Sequence, residues 1–268
     1  MPTTGQLILL YVAITSFIAG GVTSFLKPAP DGRFLRIVLK SLRYWGLVFS
    51  VAAIVWHGID RGNLEPVGDN FDALVWLGVL IAGFTAYVQA TRPLAALDWF
   101  LMPVAVGLLV CAAVVGRADY RDYQQYVGRA WTTVHHLTSF GGAVFFAIAA
   151  AGGLMYVMAS DRLRNKKPAV RYLGSLERLE RLNMNAVTIG FALLTVGIIT
   201  GAIEMVHQKM PTSTWKVVLA GCVWVIYAVV LHAPINPVFR GRRAAALSVL
   251  GFVLMIGVLV AVQFGGKN

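Results

Sequence analysis

Long apolar runs separated by short polar segments dominate this chain. They fall at about residues 6–26, 44–59, 71–90, 94–115, 131–159, 183–206, 214–233 and 244–264. Most of them approach the ~20 residues that cross the hydrocarbon of a bilayer. A bilayer offers the backbone no hydrogen-bond partners, so each run is predicted to be a helix. The pattern therefore predicts an all-α polytopic membrane protein. It is a bundle of about eight transmembrane helices, forming a single integral membrane domain over residues 1–268. No positive residue precedes the first run, and its basic flank (Lys27, Arg33, Arg36) follows it. That order reads as a retained anchor rather than a cleaved signal peptide, although Ala19, Gly20 and Gly21 are small enough to resemble a cleavage site.

Polar segments refine the picture. The segment 160–182 is the longest between spans. It opens with a basic turn containing Arg162, Arg164, Lys166, Lys167 and Pro168. From Ser175, a good N-cap with Glu177 in the first turn, it reads as a short helix. Leu176, Leu179 and Leu182 share one face, so this helix is expected to lie on the membrane surface before the next span turns in. Within that next span Gly197 and Gly201 are four apart, a spacing that permits close helix approach.

Composition agrees with a membrane protein: 58% of residues are hydrophobic and only 13% charged, against roughly 25% charged in an ordinary globular domain. The net charge of +11 would suit nucleic acid, but its distribution argues otherwise. Segments 27–43, 91–98, 160–182 and 234–243 carry 16 of the 23 Lys and Arg; the opposite set carries 7. The positive-inside rule then places the first set in the cytoplasm and both termini outside. The basic excess is a topology signal, with anionic membrane lipid as its contact and no nucleic acid partner. All twelve Asp and Glu lie in loops or at span ends. A missing ionisable group at membrane depth counts against pumps and ion-coupled transporters. Cys111 and Cys222 fall within apolar spans and read as packing residues.

Histidines are then the chemistry to consider. His57, His135, His136 and His207 stand at span ends on the predicted outer side, and His232 near the cytoplasmic end of the seventh span. Imidazole is the usual axial ligand of haem (heme) iron, and two histidines from different helices can hold haem in a bundle. Trp45, Trp56, Trp76, Trp131 and Trp215 could wall a porphyrin. A plainer reading stands beside this one: aromatic residues gather at membrane interfaces, and a histidine at a helix end needs no ligand. His135 and His136 are about 100° apart around a helix, so one of the two is expected to face inward. Glu204 and His207, three residues apart, could hydrogen-bond, or Glu204 could simply be solvated. The chain has no nucleophile elbow, phosphate loop or paired carboxylates.

Four joined segments carry a family likeness. One begins at His135 and runs to Gly153-Leu154-Met155-Tyr156 and the Asp161-Arg162 turn. The others are GSLERLERLN at 174–183, GFALLTVGIITGAI at 190–203, and Leu231-His232-Ala233 followed by GRRAAALSVLGF at 241–252. GNLEPVGDNFDAL at 62–74 adds a weaker match. Over residues 131–255 the sequence resembles the cytochrome c assembly membrane protein family, the CcsA/ResC and HemX-like group. The resemblance implies a multi-pass protein of the bacterial inner membrane that binds or handles haem or assists cytochrome c maturation, with no enzymatic activity of its own. His135 matches the family's outward-facing histidine, and His232 its intramembrane one. The family's Trp-rich, Asp-containing motif is replaced here by EMVHQKMPTSTW at 204–215, where only Trp215 remains, and a second outer histidine is missing. His57 or His207 could take that ligand's place. These departures resemble the minimal HemX-like or YpjD-like branch and argue against direct attachment of haem to apocytochrome. The expected haem set is therefore His135 with His57 on iron, together with His232, Trp131 and Trp215. Its expected partners are lipid, haem and cytochrome c maturation or other membrane proteins. The alternative is a haem-free membrane scaffold or regulator.

Overall fold

A computed structural model describes residues 2–22, 33–62, 70–91, 97–115, 130–166, 173–208, 214–233, 235 and 241–264. Among these residues there are eight α-helices, and they fall into two compact units, Met1–Gln125 and Tyr126–Asn268. Six stretches are long and apolar enough to cross a bilayer: Thr4–Gly21, Ser41–Arg61, Phe71–Thr91, Leu97–Val114, Trp131–Arg164 and Leu176–Val206. Large apolar side chains such as Ile8, Val48, Val114, Ile199 and Val253 stand exposed on helix surfaces. Such coverage suits contact with lipid tails and not with water.

The first unit holds α1 (Thr4–Val22), α2 (Arg33–Arg61), α3 (Asn70–Thr91) and α4 (Leu97–Val115). α1 packs on α2 and α4, and α3 packs on α4 and α2. Gln6 meets Asp60 at one end of the α1–α2 pair and Gly20 meets Arg43 at the other, so the two run antiparallel. Leu10, Ala13, Phe17, Ala53, Leu101 and Leu109 fill the core. The helices come close because small residues line the seams. A Cβ on Gly46 would fall 2.9 Å from the Phe17 ring, and one on Gly78 would lie 3.2 Å from the Ala105 carbonyl. α2 stops at Gly62, whose φ of +70° is a left-handed cap favourable to glycine.

The second unit holds α5 (Ala130–Arg164), α6 (Leu176–Gln208), α7 (Thr214–Leu231) and α8 (Arg242–Phe264). α5 packs on α6 and α8, and α7 on α8 and α6. Its centre is apolar with one polar chain through it. Asn183 Nδ2 donates to the Ala149 carbonyl at 2.8 Å, Ser248 Oγ donates to Asn183 Oδ1 at 3.1 Å, and Tyr227 OH donates to the Ser248 carbonyl at 3.1 Å. These bonds satisfy polar groups that burial would otherwise leave costly. They tie α5, α6, α7 and α8 together.

Two expectations need correcting. The separate surface helix from Ser175 does not form. Ser175 does cap, accepting from the Arg178 N–H at 3.3 Å, but the helix it starts is α6 itself, unbroken to Gln208. Helical hydrogen bonding continues across the charged turns, and Leu179 is fully buried. Cys111 and Cys222 are exposed on helix surfaces and do not pack in the core. At the span ends, Asp98 is buried and ion-paired with Arg43, and Asp72 with Arg61. Both acids sit in the first turn of their helices, where the backbone dipole favours negative charge.

Candidate functional site

In the first unit the site is built on the last turns of α2. His57 is 2% exposed, with its ring edge-on to Phe71 at a centroid distance of 5.0 Å. Its Nδ1 lies 3.0 Å from Oε1 of Gln6, a fully buried residue in the first turns of α1. The orientation of the Gln6 amide is over-determined. Nε2 donates to Asp60 Oδ2 at 2.7 Å, and Oε1 also accepts from the Thr3 N–H at 2.8 Å. Turning the amide over would set its NH2 against the Thr3 N–H and its oxygen against a carboxylate. An amide oxygen only accepts, so His57 carries its proton on Nδ1 and its lone pair on Nε2. Beside it, the Arg61–Asp72 pair, 11% and 1% exposed, links the end of α2 to the start of α3.

The second unit places His135 in the seam between α5 and α6. Its Nδ1 lies 2.7 Å from the carbonyl oxygen of Gly197. That oxygen too can only accept, so His135 has the same tautomer, with the lone pair on Nε2. The glycines of α6 make room for the ring. A Cβ on Gly201 would fall 2.7 Å from His135 Cε1 and 2.8 Å from Nδ1. The Gly197–Gly201 spacing, read from sequence as a helix-packing device, is also the cradle of this imidazole. One turn away, Thr132 Oγ1 donates to Glu204 at 2.8 Å, so Glu204 is engaged with its neighbour helix. His136 stacks on Phe140 and lies 5.5 Å from His135 between ring centroids.

The remaining expected residues are placed less tightly. His232 is exposed at the end of α7, its Nδ1 2.7 Å from the carbonyl of Ala228 in the preceding turn. It lies at the opposite end of the second unit from His135, since α8 begins there with Arg242 bonded to Asp161 near the end of α5. Trp131 is 52% exposed at the start of α5. Trp56 rests over Gly5 of α1, where a Cβ would come within 2.6 Å of its ring. Trp45, expected near the histidines, stacks on Phe49 instead. It sits twelve residues from His57 on the same helix, a rise of about 18 Å. The side chains of His207 and Trp215, and most of the 62–74 loop, lie outside the described residues.

Sequence reasoning found both anchored histidines but missed Gln6. The signal was present: Thr3 and Gln6 have capping-box spacing, and Gln6 N–H does reach Thr3 Oγ1 at 3.4 Å.

This donor set suits haem better than a bare ion. A porphyrin brings four of the iron's ligands, so one or two neutral imidazoles complete its coordination. Among the described residues no group of three His, Cys, Asp or Glu is arranged to hold a metal ion. Both anchored rings, His57 buried and His135 half-buried, hold Nδ1–H against an oxygen and keep the lone pair on Nε2, as an iron-binding histidine does.

Comparison with known proteins gives the same direction. The family model described as "Cytochrome C assembly protein" matches residues 35–265, well over half of the chain. A cytochrome c biogenesis protein CcsA of Cyanophora paradoxa is 25% identical over 249 residues, covering 84% of this chain and 73% of the relative. One from Prochlorococcus marinus is 21% identical over 266 residues, covering 88% and 83%. Another, from Guillardia theta, is 36% identical over 99 residues, where the match spans about a third of each chain (35% and 32%). No solved structure matches the chain. With eight helices, apolar spans and this family match over most of its length, the chain is a multi-pass membrane protein that belongs to the cytochrome c assembly protein family.

Proposed function

We propose that this protein handles haem for cytochrome c maturation in a bacterial inner membrane, with both termini on the outer face. His57 and His135 serve as iron ligands. His232, at the basic end of the second unit, is a third imidazole of the same tautomer, and the exposed Trp131, together with Trp215, is a candidate to contact the porphyrin. Haem is carried as cargo, and the chain performs no bond-making step itself. The loss of the Trp-rich motif at 204–215 supports a place in the minimal HemX-like branch, acting with other maturation proteins and with lipid.

The observation that carries this reading is the anchoring of two imidazoles by Nδ1–H, the buried His57 on Gln6 and the half-buried His135 on the Gly197 carbonyl. A histidine at a helix end that merely needs solvation does not require a fixed tautomer.

An absorption spectrum of the detergent-purified protein, oxidised and reduced, with and without haemin, tests the proposal. A Soret band with sharp α and β bands on reduction is expected. Loss of both in the His57→Ala/His135→Ala double variant, with helicity intact, is the second expectation. A protein that stays colourless after haemin titration would instead support a haem-free scaffold for other membrane proteins.

A further inference from the structure

The geometry points to Gln6 as a positioning residue for His57: its amide, oriented by the Asp60 carboxylate, holds the imidazole in the tautomer that presents Nε2 to iron. This rests on the reading of His57 as an iron ligand.

Gln6 is an expensive residue to keep in an apolar helix face. It is completely buried, where an amide without partners is costly. Each of its polar atoms has a directed bond: two donors, Thr3 N–H and His57 Nδ1–H, share Oε1, and Nε2 donates to Asp60. The chain Asp60–Gln6–His57 thus runs from an exposed carboxylate through a buried amide to a buried ring. The carboxylate at one end pulls on the amide N–H and leaves more negative charge on Oε1. That charge strengthens the hold on Nδ1–H and raises the electron-donating power of Nε2. A capping role alone would account for the bonds to Thr3 but not for the bonds to Asp60 and His57.

The test uses the full chain in detergent, with haemin as the probe. Histidine labelled with ¹⁵N distinguishes a protonated ring nitrogen from one bearing a lone pair, and it does so without haem. In the haem-free protein His57 should show Nδ1–H and an Nε2 lone pair. Gln6→Leu should give a mixture of tautomers and weaken haemin binding by about 10–100-fold, the usual effect of removing a ligand's hydrogen-bond partner. Thr3→Val, which removes the hydroxyl cap and leaves the bond to His57, should behave as wild type.

If His57→Ala leaves haemin binding unchanged, His57 is not a ligand and both readings fall. If His57→Ala weakens binding while Gln6→Leu keeps the wild-type tautomer and affinity, this inference alone is overturned. Equal losses in Thr3→Val and Gln6→Leu would also overturn it, because the effect would then come from the helix start.

Discussion

At the scale of single residues, the two anchored histidines differ in how much of their setting could be read from sequence. His135 stood out by type and position, but what holds it did not. A backbone carbonyl is the same at every residue, so nothing marked Gly197 as the acceptor. Gly201 was visible as a small residue, yet its purpose depends on a ring arriving from another helix. The fit is tight enough to test. A methyl group at Gly201 would fall 2.7 Å from His135 Cε1, and the ring cannot stay where it is. Gly201→Ala should therefore lower haemin affinity by about 10–100-fold, as expected when a ligand loses its supporting bond. Circular dichroism should meanwhile show unchanged helicity. Ala at Gly221, whose Cβ would meet nothing within 4 Å, is the matching control. Gln6 was harder to see because a lone amide in an apolar run resembles ordinary tolerance. Only its partners give it meaning.

At the scale of elements, hydropathy located all eight helices but set several of their limits too short. The apolar run ends where charges begin, whereas a helix ends where its backbone bonds stop. α2 starts at Arg33, ahead of its apolar stretch, and α6 at Leu176. Charged turns of this kind continue the helix and bring their side chains to defined places, as Arg43 shows. Its guanidinium pairs with Asp98 of α4 and its Nε donates to the Gly20 carbonyl of α1 at 3.0 Å, so one side chain joins three helices. Replacing Asp98 by Ala would leave that charge buried, which costs roughly 3–5 kcal/mol. The expected outcome is a large drop in the denaturation midpoint of Asp98→Ala. Substituting both members of the pair, Arg43→Met with Asp98→Leu, should recover most of it. If the single variant unfolds like wild type, the pair is not holding the first unit together.

For the whole molecule, the charge pattern predicts the orientation that the helices must satisfy. α5 has 35 residues, a length of about 52 Å against about 30 Å of hydrocarbon. Its last turn, with Arg162 and Arg164, therefore reaches past the bilayer. Arg178 and Arg181 at the start of α6, and Arg242 and Arg243 at the start of α8, are exposed at that same end of the unit. In a protein with Cys111 and Cys222 changed to Ser, a single cysteine at Arg178 should react with an impermeant maleimide only from the cytoplasmic side. One at Thr3 should react only from outside. The reverse pattern would invert the molecule and place His57 and His135 on the wrong face for a role outside the cytoplasm.

The two imidazoles are held by anchors of different stiffness, and this bears on how cargo leaves. The Gly197 carbonyl belongs to the wall of a helix and cannot turn without unwinding it. The Gln6 amide is a side chain with rotamers of its own. A ligand locked to backbone depends on one helix alone, whereas one held through a side chain depends also on the groups that fix that side chain, here Thr3 and Asp60. Iron held through His135 should therefore exchange slowly, and iron held through His57 quickly. Transfer of haemin to excess apomyoglobin measures this directly, with faster release expected from His135→Ala than from His57→Ala. On the proposed reading, the anchor that depends on more partners sets which ligand lets go first.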